Sequence, residues 1–588
     1  MHLVALVVLA GLARAGEIPL PASDPAYWSR LVFVEGSEVA EADACVFTTT
    51  RDGERDCLVV GPWRAGAWSA RWQAAKPVAR TRGSIRGFYR TEGSAVAEVS
   101  CVFFGAGKKM RRDDFGLAPA AAWTPFEVAL RRAPRAADGA APAFGLSAHT
   151  EGRAWFAGLS LIDDIRRRVF PATPAALNRP APPAALSPGK RFRLERSGDA
   201  WWLVTPAGRP FYSAGTDAPG FKEAAEGAAM AAAMRSMGFN SLGGWSNVWR
   251  WGPVNDSLVA KGEPPFATFV AIETSDLPGC GRLLDPAEED PRSDHAFPDP
   301  FDPAFEPGYR KLVADVAGVA AGKPWLAGWF IDNERDHGRL DRRVWSGHAG
   351  RTFLARLKER YRSVERLNAA WGTSFASFAG MAEKRPVAGL AQGPLFEDCR
   401  EFTRELVKRY AATAARTVRE ADPGALVFSN RFMLSSVDDT LSYLGAYAPV
   451  CDGIAVNIYP RNQSPGLAED ERTILARFHE ISGKPVLITE WSVPALDSGL
   501  YDDDANLDWS FPEAVETQAD RGRQAACVTA DFYNLSFVVG AHWFTWRDFD
   551  SGKRKANRGL FRSNGEPWRE LRAALAGVHG RLPGVRFP

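Results

Sequence analysis

Two carboxylates stand out by where they fall. The run Leu326-Ala-Gly-Trp-Phe-Ile-Asp332 leads into Asn333-Glu334, and Val486-Leu-Ile-Thr489 leads into Glu490-Trp491. Each glutamate closes a short apolar run, where a strand ends and a turn former would ordinarily stand. A charge at the end of a buried strand is costly unless it is used. Two carboxyls brought close together cannot both ionise cheaply, so one keeps a proton while the other stays charged. A pair divided in this way can protonate a leaving oxygen and attack the carbon it leaves. That is how a glycosidic bond is cleaved with retention, across a gap of about 5–5.5 Å. Asn333 stands where it can hydrogen-bond a sugar 2-hydroxyl, or alternatively cap the following turn.

Such a pair needs a scaffold that gathers the ends of distant strands. After Lys190, short apolar runs alternate with helical patterns. The runs Phe211–Gly215, Ser241–Gly243, Thr268–Ile272, Leu326–Asp332, Leu426–Asn430, Gly453–Asn457, Val486–Glu490 and Ala541–Trp546 predict eight strands. Amphipathic stretches follow Asp302 and span Glu401–Arg419, Glu469–Ile481 and Glu513–Tyr533. The expected fold is therefore α/β, a (β/α)8 TIM barrel over residues 190–588. A doubly wound sheet is the alternative, but no glycine-rich phosphate loop follows the first strand. In a barrel, the ends of strands four and seven face each other across the mouth where chemistry sits.

The rest of the chain sets the context. Leu3 to Leu12 followed by Ala13-Arg14-Ala15 predicts a signal peptide over residues 1–15 and export to the periplasm or exterior. The run is too short for a membrane span of about 20 residues. Residues 16–168 alternate with period two, as in Ala95, Ala97, Val99, Cys101 and Phe103 and again in Trp155, Ala157, Leu159 and Leu161. This predicts an all-β sandwich or jelly roll. Residues 169–189, rich in Pro and Ala, can hold no regular element and are expected to be a linker. Seven Cys contain no CxxC pair, and eight His contain no HxH or HExxH, so neither metal nor organic cofactor is expected. Cys45 and Cys57 have the spacing to bridge a hairpin in an exported protein.

With 72 basic and 70 acidic residues the net charge is +2, which draws the chain to neither nucleic acid nor an anionic membrane. The expected partner is a polysaccharide or oligosaccharide, because 20 Trp against 11 Tyr and 7 Met suit the apolar face of a sugar ring. Trp245, Trp491, Trp543 and Trp546 lie at or just after strand ends and are expected to be sugar platforms, with His542, Asp217 and Asn430 as polar contacts. Trp249 and Trp251 fit a platform or a packed loop equally well. Asp299 and Asp302 read as helix caps, and Arg335-Asp336-His337 as a loop ion network. Oligomeric state is not legible.

The segment Trp325-Leu-Ala-Gly-Trp-Phe-Ile-Asp-Asn-Glu334, with Ile488-Thr-Glu490-Trp, resembles the retaining glycoside hydrolases of clan A. Within the clan the chain is most similar to family 50, the β-agarases. The resemblance is carried by Trp201 to Gly215, Met237-Gly-Phe-Asn240 with Gly244-Trp-Ser246, Phe297 to Pro303, Gly540-Ala-His-Trp-Phe544 and Gly559 to Gly565. Val364-Glu-Arg-Leu-Asn-Ala-Ala-Trp-Gly372 also resembles the family 42 β-galactosidases. The first β region resembles the carbohydrate-binding-type jelly rolls that precede such barrels. The resemblance implies Glu334 as general acid/base, Glu490 as nucleophile and Asn333 on the substrate. It also implies that Tyr459, in Asn457-Ile-Tyr-Pro, hydrogen-bonds the nucleophile, with Asn457 among the substrate contacts. The chain departs from the agarases at Leu500 to Trp509 and at Arg547-Asp548, which are expected to line the cleft. Two alternatives stand beside this reading: a family 42-like β-galactosidase, and an inactive carbohydrate-binding protein on a barrel scaffold.

Overall fold

The computed structural model describes the strands between residues 17 and 162 and their connections at 93 and 118–123. It also describes residues 170–585 apart from 185, 276, 278, 284–295, 336, 338–339, 385–392, 434–436, 463, 501–513 and 552–553. The expected signal peptide, Asp336 and the acidic stretch at 501–509 lie outside the described residues. Two compact units separate after Arg168.

The first unit is a β-sandwich of two antiparallel sheets. One runs Thr124–Ala129, Ser84–Glu92, Arg153–Ile162, Arg55–Trp63 and Cys45–Asp52 in spatial order, with Glu17–Pro19 added against Arg153–Ile162. The other runs Lys108–Leu117, Ala97–Gly105, Gly139–Leu146, Ser69–Ala74, Trp28–Val34 and Ser37–Val39. Ala97, Val99, Trp155, Ala157 and Leu159 are buried as the period of two demands, but Ala154 and Phe156 are buried as well. Arg153–Ile162 is thus a central strand covered on both faces. The expected Cys45–Cys57 bridge is not made. Cys45 pairs with Trp63 and Cys57 with Thr50 in the hairpin register, and Cys57 is a free, buried thiol that donates to the Arg55 carbonyl at 3.2 Å.

The second unit is a closed parallel barrel. Its strands are β1 (Ser213–Thr216), β2 (Ser241–Leu242), β3 (Ala267–Ala271), β4 (Leu326–Phe330), β5 (Val427–Met433), β6 (Gly453–Asn457), β7 (Val486–Trp491) and β8 (Val538–Trp543). Closure comes from β1 on β8, Ser213 against Gly540 through Thr216 against Trp543. The helices that follow the strands in turn are α1 (Ala224–Ser236), α2 (Val248–Ala260), α3 (Phe305–Ala320), α4 (Pro394–Ala421), α5 (Val437–Tyr447), α6 (Glu469–Ser482), α7 (Gln518–Asn534) and α8 (Arg569–His579). Short helices including Gly347–Tyr361 and Val364–Trp371 are inserted between β4 and α4.

Strands buried on both faces read as continuous apolar runs, which explains why they were visible as sequence. Ala327 and Phe330 of β4 enter the barrel, whereas Leu326 and Trp329 pack towards the helices. Phe269, Phe330 and Phe428 fill the interior with ring centroids 5.6–5.8 Å apart. Gly328 and Gly453 make room for Phe428, since a Cβ on either would stand 2.8 or 2.5 Å from its ring. A three-stranded sheet of Arg193–Ser197, Ala200–Val204 and Pro210–Phe211 brings Leu203 and Phe211 into the same interior cluster.

The expected linker is instead a strap on this unit. It is irregular, as its prolines require, but Phe170 is buried and Arg179 is buried against the connection between α7 and β8. The Arg179 guanidinium donates to the carbonyls of Tyr533, Leu535 and Val538 at 3.2, 3.1 and 2.7 Å, and it lies 4.4 Å over the Trp202 ring. It satisfies orphan carbonyls at the C-terminus of α7, where the helix dipole favours a cation.

Candidate active site

Past Phe330 the chain leaves β4 through a braced turn. Asp332, fully buried, accepts from the Thr274 amide and hydroxyl, from Tyr410 at 2.6 Å and from the Asn333 amide at 2.9 Å, and it pairs with Arg335 at 3.3 Å. This network over-determines the turn and lets Glu334 adopt a left-handed φ of 49°. That conformation costs a residue with a Cβ about 1–2 kcal/mol. The Glu334 amide donates to the Arg431 carbonyl on β5 at 3.0 Å.

From the far side, Asn457 at the end of β6 lies opposite Glu490 in register and donates its side-chain amide to Glu334 Oε1 at 2.7 Å. Asn457 is itself oriented by the Thr489 hydroxyl, which donates to its Oδ1 at 2.6 Å. Its amide also lies 3.4 Å from Asn333 Oδ1. The two glutamates therefore stand past β4 and at the end of β7, with Asn457 bonded to the Glu334 carboxyl and paired in register with Glu490. Burial first, and the Glu490 charge second, push the Glu334 carboxyl up to about 7 against the pull of Asn457 and Arg431.

Glu490, 4% exposed, takes three donors. Oε1 accepts from Trp245 Nε1 at 2.7 Å and from Arg431 Nη2 at 3.0 Å, and Oε2 accepts from the Tyr459 hydroxyl. A carboxylate so surrounded acts as acceptor only. Burial and the Glu490 charge hold the Tyr459 phenol well above its ordinary range, so it remains a donor. The Arg558 guanidinium lies 4.0 Å over the Tyr459 ring.

Trp245 stays 38% exposed beside Glu490, as a platform must. Its loop is held by Asp217, whose Oδ1 accepts the Trp245 amide at 2.9 Å; Asp217 is buried and acts through that loop. Burial pushes the Asp217 carboxyl up to about 7, with Glu490 adding to it and Arg431 opposing. Trp249 is 55% exposed, whereas Trp251 is buried and donates to the Pro219 carbonyl.

Five further expected contacts are corrected. Trp491 packs on Phe532 and Trp543, Trp543 donates to the Arg558 carbonyl, and Trp546 stacks on Phe561; all three are buried and present no open face. His542 has no exposed surface. It lies inside the barrel against Phe269, bonded to Ser213 at 2.8 Å, and burial then Arg431 push it down to about 3. Asn430, also fully buried, accepts the Arg335 amide at 3.1 Å and braces the turn after Glu334. Asp299 and Asp302 accept the amides of Phe301 and Ala304 in turns before α3, whose N-cap is Ala304, and Asp299 also accepts the Ala349 amide at 2.9 Å. Arg335 forms an ion network with Asp332 and Glu273, and His337 meets Tyr447 at 2.8 Å.

Sequence reasoning missed Arg431, Glu273 and Arg558. Arg431 carried a signal, a charge within an apolar strand run. Glu273, just past β3, is raised to about 7 by burial and Asp332, against Arg335.

Among known proteins, a β-galactosidase family model matches residues 295–495, a span that holds both glutamates. The chain is 27% identical over 340 residues to β-agarase A of Vibrio sp. (strain JT0107), covering 54% of this chain and 31% of that protein. It is 24% identical over 292 residues to β-galactosidase BgaH of Haloferax lucentense, covering 46% and 41%. The chain thus spans about a third of the length of the β-agarases it matches. The crystal structure of an agarase superposes with a TM-score of 0.58 at 16% identity, covering 97% of this chain and all of that one. An exo-β-agarase structure gives 0.58 at 15% over 95% and 100%, and these likenesses show the fold. A β-sandwich followed in sequence by a (β/α)8 barrel, with Asn-Glu after β4 and Glu at the end of β7, makes the chain most like family 50 of the clan A glycoside hydrolases.

Proposed function

We propose that the protein is a retaining β-glycoside hydrolase of agar-type or other β-galactosidic polysaccharides and oligosaccharides. One observation supports the reading: Asn457, the register partner of Glu490, hydrogen-bonds Glu334, and the Glu490 charge raises the Glu334 carboxyl. Glu334, held up to about 7, keeps its proton near neutrality and donates it to the leaving oxygen. Glu490, seated by Trp245, Arg431 and Tyr459, attacks the anomeric carbon to form a glycosyl ester. Glu334, now a base, draws a proton from water, which releases the sugar with its starting configuration. Trp245 offers its exposed face to the sugar ring, and Asn333 its amide to a hydroxyl. The names of the β-agarase and β-galactosidase relatives support the substrate class.

The test is Glu490→Ala with an activated aryl β-galactoside. Turnover is expected to fall by at least about 10⁴-fold, and added azide to restore it as the α-galactosyl azide. Unaided turnover near the wild-type rate would defeat the assignment.

A further inference from the structure

Arg431 lies in the body of β5, where packing alone would place an aliphatic side chain, and its side chain has no exposed surface. The residue reaches both glutamates, the main chain of Glu334 and the carboxylate of Glu490. Its carbonyl accepts the Glu334 amide at 3.0 Å while its own amide donates to the Asp332 carbonyl at 3.1 Å, so its main chain grips the turn from both sides. Its Nη2 divides between the Thr489 carbonyl and Glu490 Oε1, at 3.0 Å each, which fixes the carboxylate against the backbone of its own strand. The guanidinium is sandwiched 5.1 Å from the Trp245 ring and 5.5 Å from that of Phe330. Nε and Nη1 are buried without a hydrogen-bond partner, and among the described residues Glu490 is the carboxylate that Arg431 hydrogen-bonds. A buried cation with donors to spare is expensive unless its charge serves the site.

We propose that Arg431 is the positioning residue that keeps the two glutamates in separate roles, its carbonyl locking the left-handed turn of Glu334 and its guanidinium seating Glu490 as the attacking group. The inference rests on the hydrolase reading above. Among the described residues, the other titratable groups facing the cluster are Asp217 after β1, Glu334 and Arg335 after β4, Tyr459 after β6, His542 on β8 and Arg558 beyond it. His542 stays neutral, Arg335 is paired with Asp332 and Glu273, and Arg558 lies over the Tyr459 ring. A lysine could carry the charge but could not span Thr489 and Glu490 from one rigid plane.

The test uses the full-length protein and Arg431→Met and Arg431→Lys variants, with dinitrophenyl 2-deoxy-2-fluoro-β-galactoside as probe. Its leaving group needs no acid, so the labelling rate against pH reads the attacking carboxylate alone. Wild type is expected to be labelled on Glu490, as found by mass spectrometry of its peptides. Arg431→Met should label at least about 100-fold more slowly at neutral pH. Arg431→Lys should recover part of this loss and label about tenfold more slowly than wild type. Labelling of a folded Arg431→Met at the wild-type rate overturns the inference. If that variant does not fold, Arg431→Lys labelling at the wild-type rate overturns it. A wild-type enzyme that is not labelled on Glu490 overturns the hydrolase reading itself.

Discussion

Asn457 is the contact through which the site tunes its acid, and replacing it with alanine has a calculable effect. Its amide N–H donates to Glu334 Oε1 at 2.7 Å, stabilising the charged form and pulling the carboxyl down from where burial and Glu490 would place it. A hydrogen bond to a charged group in such a setting is worth about 1.5–3 kcal/mol. At 1.36 kcal/mol per pH unit, its loss raises Glu334 by about one to two units. Because Glu334 must be protonated to donate, the alkaline limb of kcat/KM follows its titration. In the wild type that limb lies near the value of about 7 held by Glu334, so in Asn457→Ala it should move to about 8–9. The Thr489 hydroxyl loses its acceptor in the same variant, which costs about 1–3 kcal/mol of stability. Asn457→Asp is the control: it keeps an acceptor for Thr489 but brings a second negative charge to Glu334, so its limb should move further upward. The assay is kcat/KM on an aryl β-galactoside across pH, with thermal melting in parallel. A folded Asn457→Ala whose alkaline limb stays put or moves down refutes the reasoning.

Other outcomes follow from the same contacts. Trp245→Phe keeps a platform but removes the donor to Glu490, and should lower kcat by about 10–100-fold with less change in KM; equal losses in an uncharged-site control such as Trp249→Phe would contradict this. His542→Ala empties a space inside the barrel and should cost about 2–4 kcal/mol in denaturant unfolding while leaving KM within about twofold. A large rise in KM would return His542 to the substrate.

The barrel was legible because parallel strands buried on both faces are apolar throughout, and all eight runs named from sequence overlap true strands. Glu334 and Glu490 were legible because each breaks such a run at its mouth end. The same uniform burial hides which way a side chain points. The last strand ends at Trp543, three residues before its expected end, and Trp543, Trp546 and His542, expected at an open mouth, are buried. Trp491 directly follows Glu490 and so, with side chains alternating along a strand, packs on α7 through Phe532. Arg431 was lost because β5 was ended at Asn430, one residue short of it; the strand runs on to Met433. The strap at 170–184 escaped because composition reports what the backbone cannot form, and not what a single arginine can grip.

The stereochemistry of the first product tests the central claim most directly. Proton NMR of a β-galactoside digest, recorded before mutarotation, should show the β-anomer appearing first. That is the signature of two displacements at one carbon, with Glu490 holding the sugar between them. Initial release of the α-anomer would mean that water attacks directly, and the roles given to Glu334 and Glu490 would be wrong.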